Sequence, residues 1–309
     1  MLDIITFGSA TWDIFLKSKK FNSRKGICFK VGLKIDIEEI FSGPGGGGTN
    51  TAATFSNQGF KTAWCGTLGA DIFGKAAIKD LKRRKIKTRF VRKVKERPTN
   101  ISVILNSIGK DRTVLAYRGA SEDISEKDIF WFRLRKKRFQ AKWFYLAPLS
   151  GKAALLTKKI ISFANKNKIK VALNPGNSQL ALKDIKKIIE KVDILLLNQE
   201  EASRLVGLPY AREKEIFSRI DKFCPGIVIM TKGGKGAILS DGKKIFRAKT
   251  PKIKITDKTG AGDAFGSGFV SGFIKSGGNI EFSLRFGTAN AVSCIKKMGT
   301  KKGLLKKSL

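Results

Sequence analysis

The sequence predicts an α/β fold in which a central, mostly parallel, doubly wound sheet carries a small antiparallel β lid. From residue 143 onwards, apolar runs of strand length alternate with helical patterns, and this alternation is typical of βαβ units and a parallel sheet. Residues 12–40 and 89–119 instead show alternating, β-rich patterns. We therefore expect these two insertions to form the lid.

The N-terminal part of the chain contains both lid segments and the first elements of the large sheet. The stretch "RPTNISVILNSIGKDRTVLAY" indicates two strands, and "SIGKD" supplies the hairpin turn between them. Between the two insertions, residues 43–84 are interpreted as loop, helix, strand, loop and helix. An antiparallel flap beside an open parallel sheet suggests a lid over a ligand.

The second half of the chain follows a regular order. It contains strand "KWFYLAP", helix "GKAALLTKKIISFANKNK", strand "IKVALNPG", helix "LKDIKKIIEKV", strand "DILLLN", helix "QEEASRLVG" and strand "GIVIMTKGG". These strands lack polar alternation because helices cover both faces of a parallel sheet. No repeat, long low-complexity segment or linker divides the chain, so we expect residues 1–309 to form a single domain.

The amino-acid composition limits the chemistry that the chain can carry out. The 309 residues include no histidine, which excludes triads that use histidine and leaves acid–base chemistry to carboxylates, lysines, hydroxyls or thiols. The four cysteines, at positions 28, 65, 224 and 294, form no CxxC pair. We therefore expect buried, reduced thiols and no zinc site.

Targeting signals and membrane spans are not evident in the sequence. The apolar runs are far shorter than a membrane span, and residues 1–8 lack the basic start and long apolar middle of a secretory signal. We therefore expect a cytoplasmic protein without a membrane partner.

The chain is strongly basic, with a formal net charge of +37 from 62 lysines and arginines against 25 aspartates and glutamates. Such a field attracts nucleic acids and anionic metabolites. The basic residues are scattered, however, with short clusters at 81–87, 133–138 and 301–307, and no zinc finger, basic zipper or RNA-stacking motif accompanies them. We therefore favour a compositional bias towards lysine over a nucleic-acid partner.

The segment Asp257–Phe269, "DKTGAGDAFGSGF", is the strongest candidate for chemistry. Its turn Gly260-Ala261-Gly262 opens an apolar helix that we expect to start near Asp263. Main-chain N–H groups at a helix N-terminus form an anion hole, and glycines let a phosphate or oxyanion approach closely. Asp263 could take a proton from a hydroxyl that attacks phosphorus, and the helix dipole would keep it ionised. The alternative is an aspartate that only caps the helix.

Two further motifs follow buried strands. "LNQEEASRLVG" puts Asn198 and Glu201 on one face of a first helical turn, where they could hold waters around a Mg²⁺ bound mainly by nucleotide phosphates. The same two residues could instead form a capping box. In "TKGGKGA", Thr231 and Gly233 could line the phosphates of a nucleotide, or the segment could be a hairpin turn alone.

The glycine run "GPGGGGTNTA", residues 43–52, raises the question of which ligand it serves. Five of the six residues from Gly43 to Gly48 are glycine. Such a run usually permits a special backbone shape or a close approach by a ligand. In open parallel sheets, ligands bind at the carboxyl ends of the strands, where several of these motifs are expected to lie.

Taken together, these stretches resemble the ribokinase-like (PfkB-type) family of carbohydrate and nucleoside kinases. The matching segments cover nearly the whole chain in order: "GSATWDIFL", "GGGGTNTA", "GTLGADIFG", "YRGAS", "NQEE", "TKGG", "DKTGAGDAF" and "ANAVSC". The most specific of them is "TGAGDAF". The resemblance implies an ATP- and Mg²⁺-dependent kinase that phosphorylates an alcohol hydroxyl of a sugar, on a mostly parallel sheet with a β lid.

The resemblance also implies what the glycine run does. In such kinases the run and its asparagine hold the phosphate acceptor beneath the lid, whereas the later glycine turn holds phosphates. The residues implied to line the acceptor pocket are Asp13, Gly45, Gly46 and Asn50. Asp263 then resembles the general base, and residues 260–262 resemble the oxyanion hole.

The nucleotide side of the site is implied in the same way. Asn198 and Glu201 resemble the magnesium–phosphate pair, with Glu201 reaching Mg²⁺ through water or phosphate. The residues implied to border the nucleotide are Thr231, Gly233, Gly236 and Asn290, the last on the helix beside the adenine pocket. Asp257 leaves a monovalent cation such as K⁺ open, because some relatives bind one beside this loop.

Several positions depart from the family pattern. Lys258 stands where a small or hydroxyl residue is more common, and Ala147 and Pro148 stand where several sugar kinases place polar acceptor contacts. Arg118 could reach an acidic sugar or a sugar phosphate, although an exposed arginine is the commoner situation. The acceptor is therefore open among sugars, sugar phosphates and nucleosides. Relatives often dimerise through lid strands, and a basic nucleic-acid-binding protein that has kept the fold without turnover is the non-enzyme alternative.

Overall fold

The computed structural model describes residues 1–21, 29, 31–106, 112–122 and 140–307. Within these ranges the chain forms a nine-stranded sheet and a separate four-stranded sheet, which confirms the predicted α/β architecture with a small second sheet. The predicted hairpin turn at 107–111, the basic cluster at 133–138 and Cys28 lie outside the described residues.

Thirteen strands build the two sheets. In chain order they are β1 Leu2–Phe7, β2 Thr11–Lys17, β3 Glu39–Gly45, β4 Thr62–Gly69, β5 Lys87–Val94, β6 Asn100–Asn106, β7 Thr113–Tyr117, β8 Ala141–Leu146, β9 Lys170–Leu173, β10 Ile194–Asn198, β11 Ile227–Thr231, β12 Ala237–Ser240 and β13 Ile245–Ala248.

The α-helices of the described residues alternate with these strands. They are α1 Gly47–Asn57, α2 Ile72–Arg83, α3 Thr157–Lys166, α4 Asn177–Leu180, α5 Ile185–Ile189, α6 Gln199–Val206, α7 Glu213–Asp221, α8 Ala261–Lys275 and α9 Ile280–Ile295.

The large sheet has the spatial order β13-β12-β11-β10-β9-β8-β1-β4-β5. All pairings from β5 across to β11 are parallel, and β12 and β13 are added antiparallel at one edge. All eight residues of β4 are buried. In β8, Phe144 and Leu146 pack in one hydrophobic cluster and Tyr145 in another, because successive side chains of a strand point to opposite faces. Apolar cores on both faces explain the strands' lack of polar alternation.

The small sheet has the order β3-β2-β6-β7. Its outer pairings are antiparallel, whereas β2 and β6 pair in parallel. Every residue of β7 is exposed, including the apolar side chains of Val114, Leu115 and Tyr117. Dimerisation through lid strands stays a prediction, and this edge is the surface that it concerns.

The second lid segment is shorter than the predicted range 89–119. Residues 90–94 lie in β5 and pair in parallel with β4 at the edge of the large sheet, so the contribution to the small sheet begins with β6. The burial of β5 alternates, with buried Phe90 and Val94 among exposed or half-buried neighbours. An edge strand with one solvated face has the same sequence pattern as a lid strand, which is why the pattern did not separate them.

The basic segment 301–307 packs against α1 and is not a free tail. Lys301 and Leu304 are buried, and Gln58 Nε2 donates a hydrogen bond of 2.8 Å to the carbonyl of Leu305. The lysines at 302 and 306 are exposed. The predicted basic cluster therefore contains one lysine whose environment differs completely from that of its neighbours.

Two other expectations concern thiols and membranes. Cys65, Cys224 and Cys294 are buried, and burial raises the pKa of Cys224 and Cys294 to about 12, which keeps these thiols protonated. Among the described residues, no helix combines the length and the apolar character needed to cross a membrane.

Candidate active site

The glycine run packs directly against the carboxyl end of β1. Gly46 precedes α1 with a φ of 94°, and a Cβ atom there would lie 2.6 Å from the carbonyl oxygen of Ser9. A Cβ atom at Gly48 would lie 2.6 Å from Trp64 Nε1, which donates a hydrogen bond of 3.1 Å to the carbonyl of Gly8. Part of the run is thus required for α1 to begin in contact with the end of β1.

Gly45 makes room for Asp13. The two residues lie on the paired strands β3 and β2, and a Cβ atom at Gly45 would lie 1.8 Å from Asp13 Oδ2. Asp13 is only 6% exposed. Burial raises its pKa to about 7, the negative charges of Asp257 and Asp263 add to this rise, and Lys301 and a hydrogen bond from Ser102 oppose it. Asp13 is therefore a desolvated carboxyl group that faces the same region as Asp263.

Asp263 lies beside the glycine loop, as predicted. It occupies the first turn of α8, and its Oδ2 accepts a hydrogen bond of 2.8 Å from Asn50 Nδ2. A Cβ atom at Gly47 would lie 3.3 Å from Asp263 Oδ1. Asn50 Oδ1 in turn accepts a hydrogen bond of 2.8 Å from Thr300 Oγ1. This chain fixes the orientation of the Asn50 amide and hence of the carboxylate.

The ionisation of Asp263 by the helix dipole stays a prediction. Burial is the largest influence on this carboxyl group and raises its pKa, while the Asn50 hydrogen bond and the charge of Lys301 lower it. Burial therefore acts against the dipole, which favours the ionised form.

The turn before α8 has one side packed and one side open. Gly260 adopts a φ of 79°, and a Cβ atom there would lie 3.0 Å from Thr300 Cβ. The helix proper begins at Ala261, two residues earlier than expected. A Cβ atom at Gly262 would meet nothing within 4 Å. Because the first N–H groups of a helix have no intrahelical acceptor, this open side can receive an anion.

Asn198 and Glu201 form the capping box that sequence reasoning left as one alternative. Glu201 N donates to Asn198 Oδ1 at 2.8 Å, and Asn198 N donates to Glu201 Oε2 at 2.7 Å. Burial raises the pKa of Glu201. Asn198 pairs in register with Thr231 of β11, so the two motifs lie side by side at the carboxyl edge of the sheet.

The segment after β11 is a hairpin turn. Gly233 has a φ of 55°, and a Cβ atom there would meet nothing within 4 Å, so this part of the turn faces open space. At Gly236, a Cβ atom would lie 1.9 Å from the carbonyl of Ala248, which shows that this glycine is needed for the close approach of β13. The Thr231 hydroxyl donates a hydrogen bond of 3.4 Å to the carbonyl of Leu197. Contact of Thr231, Gly233 and Gly236 with a nucleotide stays a prediction.

Asn290 does not face a nucleotide cleft, because its side chain is completely buried. Its Nδ2 donates to the carbonyl of Ala264 at 2.7 Å and to Thr54 Oγ1 at 3.3 Å, and its Oδ1 accepts from Leu305 N at 2.9 Å. The amide therefore ties α9 to α8, α1 and the C-terminal segment. Its predicted contact with the nucleotide is corrected to a structural one.

A different face of α9 borders a cleft of about 920 Å³. The cleft lies between α9 and the strand and loop at 245–251. The residues of α9 that line it, with the lysine that follows the helix, are Glu281, Leu284, Arg285, Thr288, Ala289, Val292, Ser293 and Lys296. The prediction that this helix borders a pocket thus identified the helix but the wrong side of it.

Both carboxylate oxygens of Asp257 accept hydrogen bonds from backbone N–H groups. Its Oδ1 accepts from Thr259 N at 2.9 Å and its Oδ2 from Gly299 N at 3.2 Å. Among the described residues, no cluster of three or more acids and cysteines has the arrangement of a metal site. Asp257 therefore connects two loops, and a role beside K⁺ stays a prediction.

The positions that depart from the family pattern fall in two places. Ala147 and Pro148 lie beside the glycine loop, since a Cβ atom at Gly47 would lie 3.3 Å from Ala147 Cβ and 3.6 Å from Pro148 Cδ. Ala147 is completely buried in the core, whereas Pro148 is exposed. Arg118 and Lys258 are exposed.

Sequence reasoning missed the contribution of residues 299–301. Thr300 orients Asn50, and the Lys301 ammonium donates a hydrogen bond of 2.8 Å to Thr49 Oγ1, one residue before Asn50. Nothing in "GTKK" distinguishes the buried lysine from the exposed Lys302, so no sequence signal could have identified it.

The chain matches one family of known proteins and is similar to several curated proteins. The chain matches the model of the family described as pfkB family carbohydrate kinase over residues 1–307. It is 28% identical over 253 residues to an uncharacterized sugar kinase of Archaeoglobus fulgidus, covering 81% of this chain and 97% of that protein. It is also 28% identical over 264 residues to a ribokinase of Haemophilus influenzae, covering 84% of this chain and 83% of the relative.

Solved structures share the fold. A ribokinase of Arabidopsis thaliana complexed with ribose and ATP superposes with a TM-score of 0.80 at 23% identity, covering 99% of this chain and 96% of the other. The nucleoside kinase of Methanocaldococcus jannaschii, an archaeal member of the ribokinase family, superposes with a TM-score of 0.78 at 22% identity, covering 99% and 95%.

Proposed function

The chain belongs to the pfkB family of carbohydrate kinases, and we propose that it transfers the γ-phosphoryl group of ATP to an alcohol hydroxyl of a sugar. Membership of the family makes it a phosphotransferase with an alcohol acceptor. The choice of ATP as donor is supported by the ribokinase that was solved with ribose and ATP. The choice of a sugar as acceptor is supported by the relatives named sugar kinase and ribokinase.

The acceptor binds between β2 and the glycine loop. Asp13 is buried there in the space that the missing side chain of Gly45 leaves, and its carboxyl group accepts hydrogen bonds from sugar hydroxyls. Burial makes such hydrogen bonds stronger than in water. The exposed, apolar Pro148 lies on the Gly47 side, so polar recognition comes from the Asp13 side.

Asp263 acts as the general base. Its carboxylate is oriented by Asn50, which Thr300 orients in turn. Burial raises the pKa of Asp263 above its ordinary value, which makes the carboxylate a stronger base. The acceptor hydroxyl gives its proton to Asp263 as the acceptor oxygen forms the new bond to the γ-phosphorus. The bond between that phosphorus and the β–γ bridging oxygen of ATP breaks, and ADP leaves with the bonding electrons.

The transferred phosphoryl group lies at the start of α8. The open side of Gly262 and the N–H groups of the first helical turn provide space and donors for its oxygens. Mg²⁺ bound to the phosphates would neutralise charge that develops during transfer. Glu201 would reach such an ion through water or phosphate with Oε1, since its Oε2 accepts from Asn198.

The nucleotide binds along the carboxyl edge of β10 and β11. Thr231 and Gly233 border the phosphates, and the cleft beside α9 holds the base. The small sheet covers the acceptor and excludes water that would otherwise compete for the phosphoryl group.

The observation that carries this proposal is the hydrogen bond of 2.8 Å between Asn50 and Asp263. It joins residues 213 positions apart and brings the acceptor loop and the phosphoryl site into one constellation. Phosphoryl transfer depends on positioning and charge stabilisation rather than on covalent chemistry by the protein, so this juxtaposition is what the reaction needs.

The test is an ADP-release assay with a panel of sugars, sugar phosphates and nucleosides, using wild type and Asp263→Asn in parallel. We expect one acceptor to support turnover and the variant to lose about 10²–10⁴-fold in kcat while it still binds ATP. Equal rates for the two proteins would refute the assignment of the base. No turnover with any acceptor, combined with tight and salt-dependent nucleic-acid binding, would favour the non-enzyme alternative.

A nucleoside acceptor is the second candidate, and the likeness to the Methanocaldococcus jannaschii nucleoside kinase is the observation that favours it. The exposed ring of Pro148 beside Gly47 is compatible with a base packed against it. The nucleosides in the same panel distinguish the two candidates.

A further inference from the structure

Lys301 is a buried cation for which the reaction described above has no assigned role. Among the described residues, it is the one lysine or arginine that is buried, with 5% of its surface exposed. Its ammonium donates to Thr49 Oγ1 at 2.8 Å and lies 3.6 Å from Asp80 Oδ2. Burial of an amine is costly unless its charge is compensated, so the compensation has to be identified.

Asp80 is the direct ionic partner of Lys301, but it has two further cations beside it. Its carboxylate is paired with Arg83 at 2.7 Å and with Arg84 at 3.1 Å. Three cations therefore surround this one carboxylate. The charge of Lys301 lowers the pKa of Asp80 and also that of Asp13 and Asp263, so it acts on the acceptor side as well.

We propose that Lys301 is a positioning residue of the kinase reaction, whose charge balances the Asp13 and Asp263 carboxylates and whose hydrogen bond holds the first turn of α1 in place. This inference rests on the proposed function, because it assigns Asp263 the role of base. Thr49 and Asn50 are adjacent in α1, so one contact of the lysine anchors the backbone that presents Asn50 to Asp263.

The charges around the two carboxylates support this role. The negative charge of Asp263 makes Asp13 harder to ionise, and the charge of Asp257 adds to this effect. The neutral groups Tyr145 of β8 and Cys294 of α9 also face Asp263, and their own pKa values are raised by burial and by that carboxylate.

The lysine supplies the opposing charge over a defined pH range. Burial lowers the pKa of Lys301 to about 8, Asp80 and Asp13 oppose that decrease, and Arg84 adds to it. Its positive charge is thus present at neutral pH and lost above about pH 8. Removing the charge of Lys301 raises the pKa of Asp13 and of Asp263. A smaller fraction of Asp263 is then ionised at low pH, whereas at high pH the carboxylate is ionised with or without the lysine.

The experiment compares Lys301→Met and Lys301→Gln with wild type and with Lys306→Met, an exposed lysine of the same segment. kcat/KM is measured with ATP and the acceptor found in the panel between about pH 5.5 and pH 9. We expect both Lys301 variants to lose about tenfold or more at pH 6 and to approach wild type at pH 9. Lys306→Met should keep the wild-type profile.

Lys301→Gln distinguishes the effect of the lysine's charge from the effect of its hydrogen bond to Thr49. It can still donate a hydrogen bond to Thr49 but carries no charge, so a wild-type pH profile for Lys301→Gln would overturn the proposal and leave the lysine a structural role. Equal losses at every pH for both variants would overturn it as well. Thermal unfolding of each variant shows whether it is folded under the assay conditions.

A titration of the wild-type protein tests the inference without turnover. Aspartate carboxyl-carbon signals are followed by NMR through a pH titration, and Asp13→Asn and Asp263→Asn provide the assignments. We expect the signals of Asp13 and Asp263 to show a second inflection near the pKa of Lys301. Its absence would overturn the inference even if the enzyme turns over, whereas its presence without turnover on any acceptor would instead count against the proposed function.

Discussion

Gly45→Ala tests the acceptor pocket through a single added methyl group. Gly45 is buried in β3, and the new Cβ atom would lie 1.8 Å from Asp13 Oδ2 and 2.7 Å from Asp13 Cγ. The backbone itself tolerates alanine, since Gly45 is not among the glycines with positive φ. The strain therefore falls on the position of the Asp13 carboxyl group.

The expected loss in kcat/KM has two sources, a strained Asp13 rotamer and a lost hydrogen bond to the acceptor. Turning the side chain away from its packed position costs about 0.5–1.5 kcal/mol for an unfavourable rotamer. A lost hydrogen bond between a charged group and the acceptor costs about 1.5–3 kcal/mol. Together these give about 2–4.5 kcal/mol, or roughly a 30- to 2,000-fold loss in kcat/KM.

The assay measures initial rates with the acceptor varied at saturating ATP. Because the lost interaction belongs to acceptor binding, we expect most of the effect in the KM of the acceptor and little in the KM of ATP. Gly43→Ala is the matched control on the same strand, since its Cβ atom would lie 3.7 Å from the nearest atom, Phe41 Cζ. Equal KM values for the two alanine variants would refute the placement of the acceptor beside Asp13.

Two further predictions separate function from packing. Gly262→Ala adds a methyl group in open space at the start of α8, so we expect the free energy of unfolding to stay the same or to rise by about 0.5–1 kcal/mol. We expect kcat to fall about tenfold or more, because the methyl group occupies space that the phosphoryl group needs. Wild-type turnover would contradict this prediction. Asn290→Ala removes three hydrogen bonds of the buried amide, so chemical denaturation should show a loss of about 2–4 kcal/mol in the free energy of unfolding. The KM of ATP should stay within about twofold of the wild-type value. A large rise in that KM without loss of stability would restore Asn290 to the nucleotide site.

The large sheet could be predicted from the sequence because its signals are local. Runs such as residues 194–198 are apolar without alternation, and they form the buried parallel strand expected of them. The division of the lid was harder, because β5 has the half-buried pattern of an edge strand. Only its pairing with β4 decides which sheet it joins, and pairing across the sheet is not encoded in a local pattern.

The constellation around Asp263 could be predicted from motifs and a family resemblance. Sequence patterns brought together the turn at 260–262, Asp263 and the loop containing Asn50, and the structure places Asp263 and Asn50 in contact. The protonation of these groups could not be predicted in the same way. The raised pKa values of Asp13 and Asp263 arise from burial, which depends on the assembled fold.

The roles of Asn290 and Lys301 could not be read from the sequence for a related reason. Asn290 lies on the expected helix, but its side chain points to α8 and α1 and not to the cleft. Lys301 lies in a run of lysines that includes the exposed Lys302 and Lys306. In both cases the side of the element that faces the site is set by packing between distant segments.

The most direct test of the central claim is a crystal structure with the acceptor from the panel and a non-hydrolysable ATP analogue. The account predicts that the reacting hydroxyl oxygen lies within about 3.2 Å of an Asp263 carboxylate oxygen and points at the γ-phosphorus, with Asp13 bound to other hydroxyls of the same molecule. A hydroxyl held by a different side chain, with Asp263 beyond hydrogen-bond reach, would contradict it.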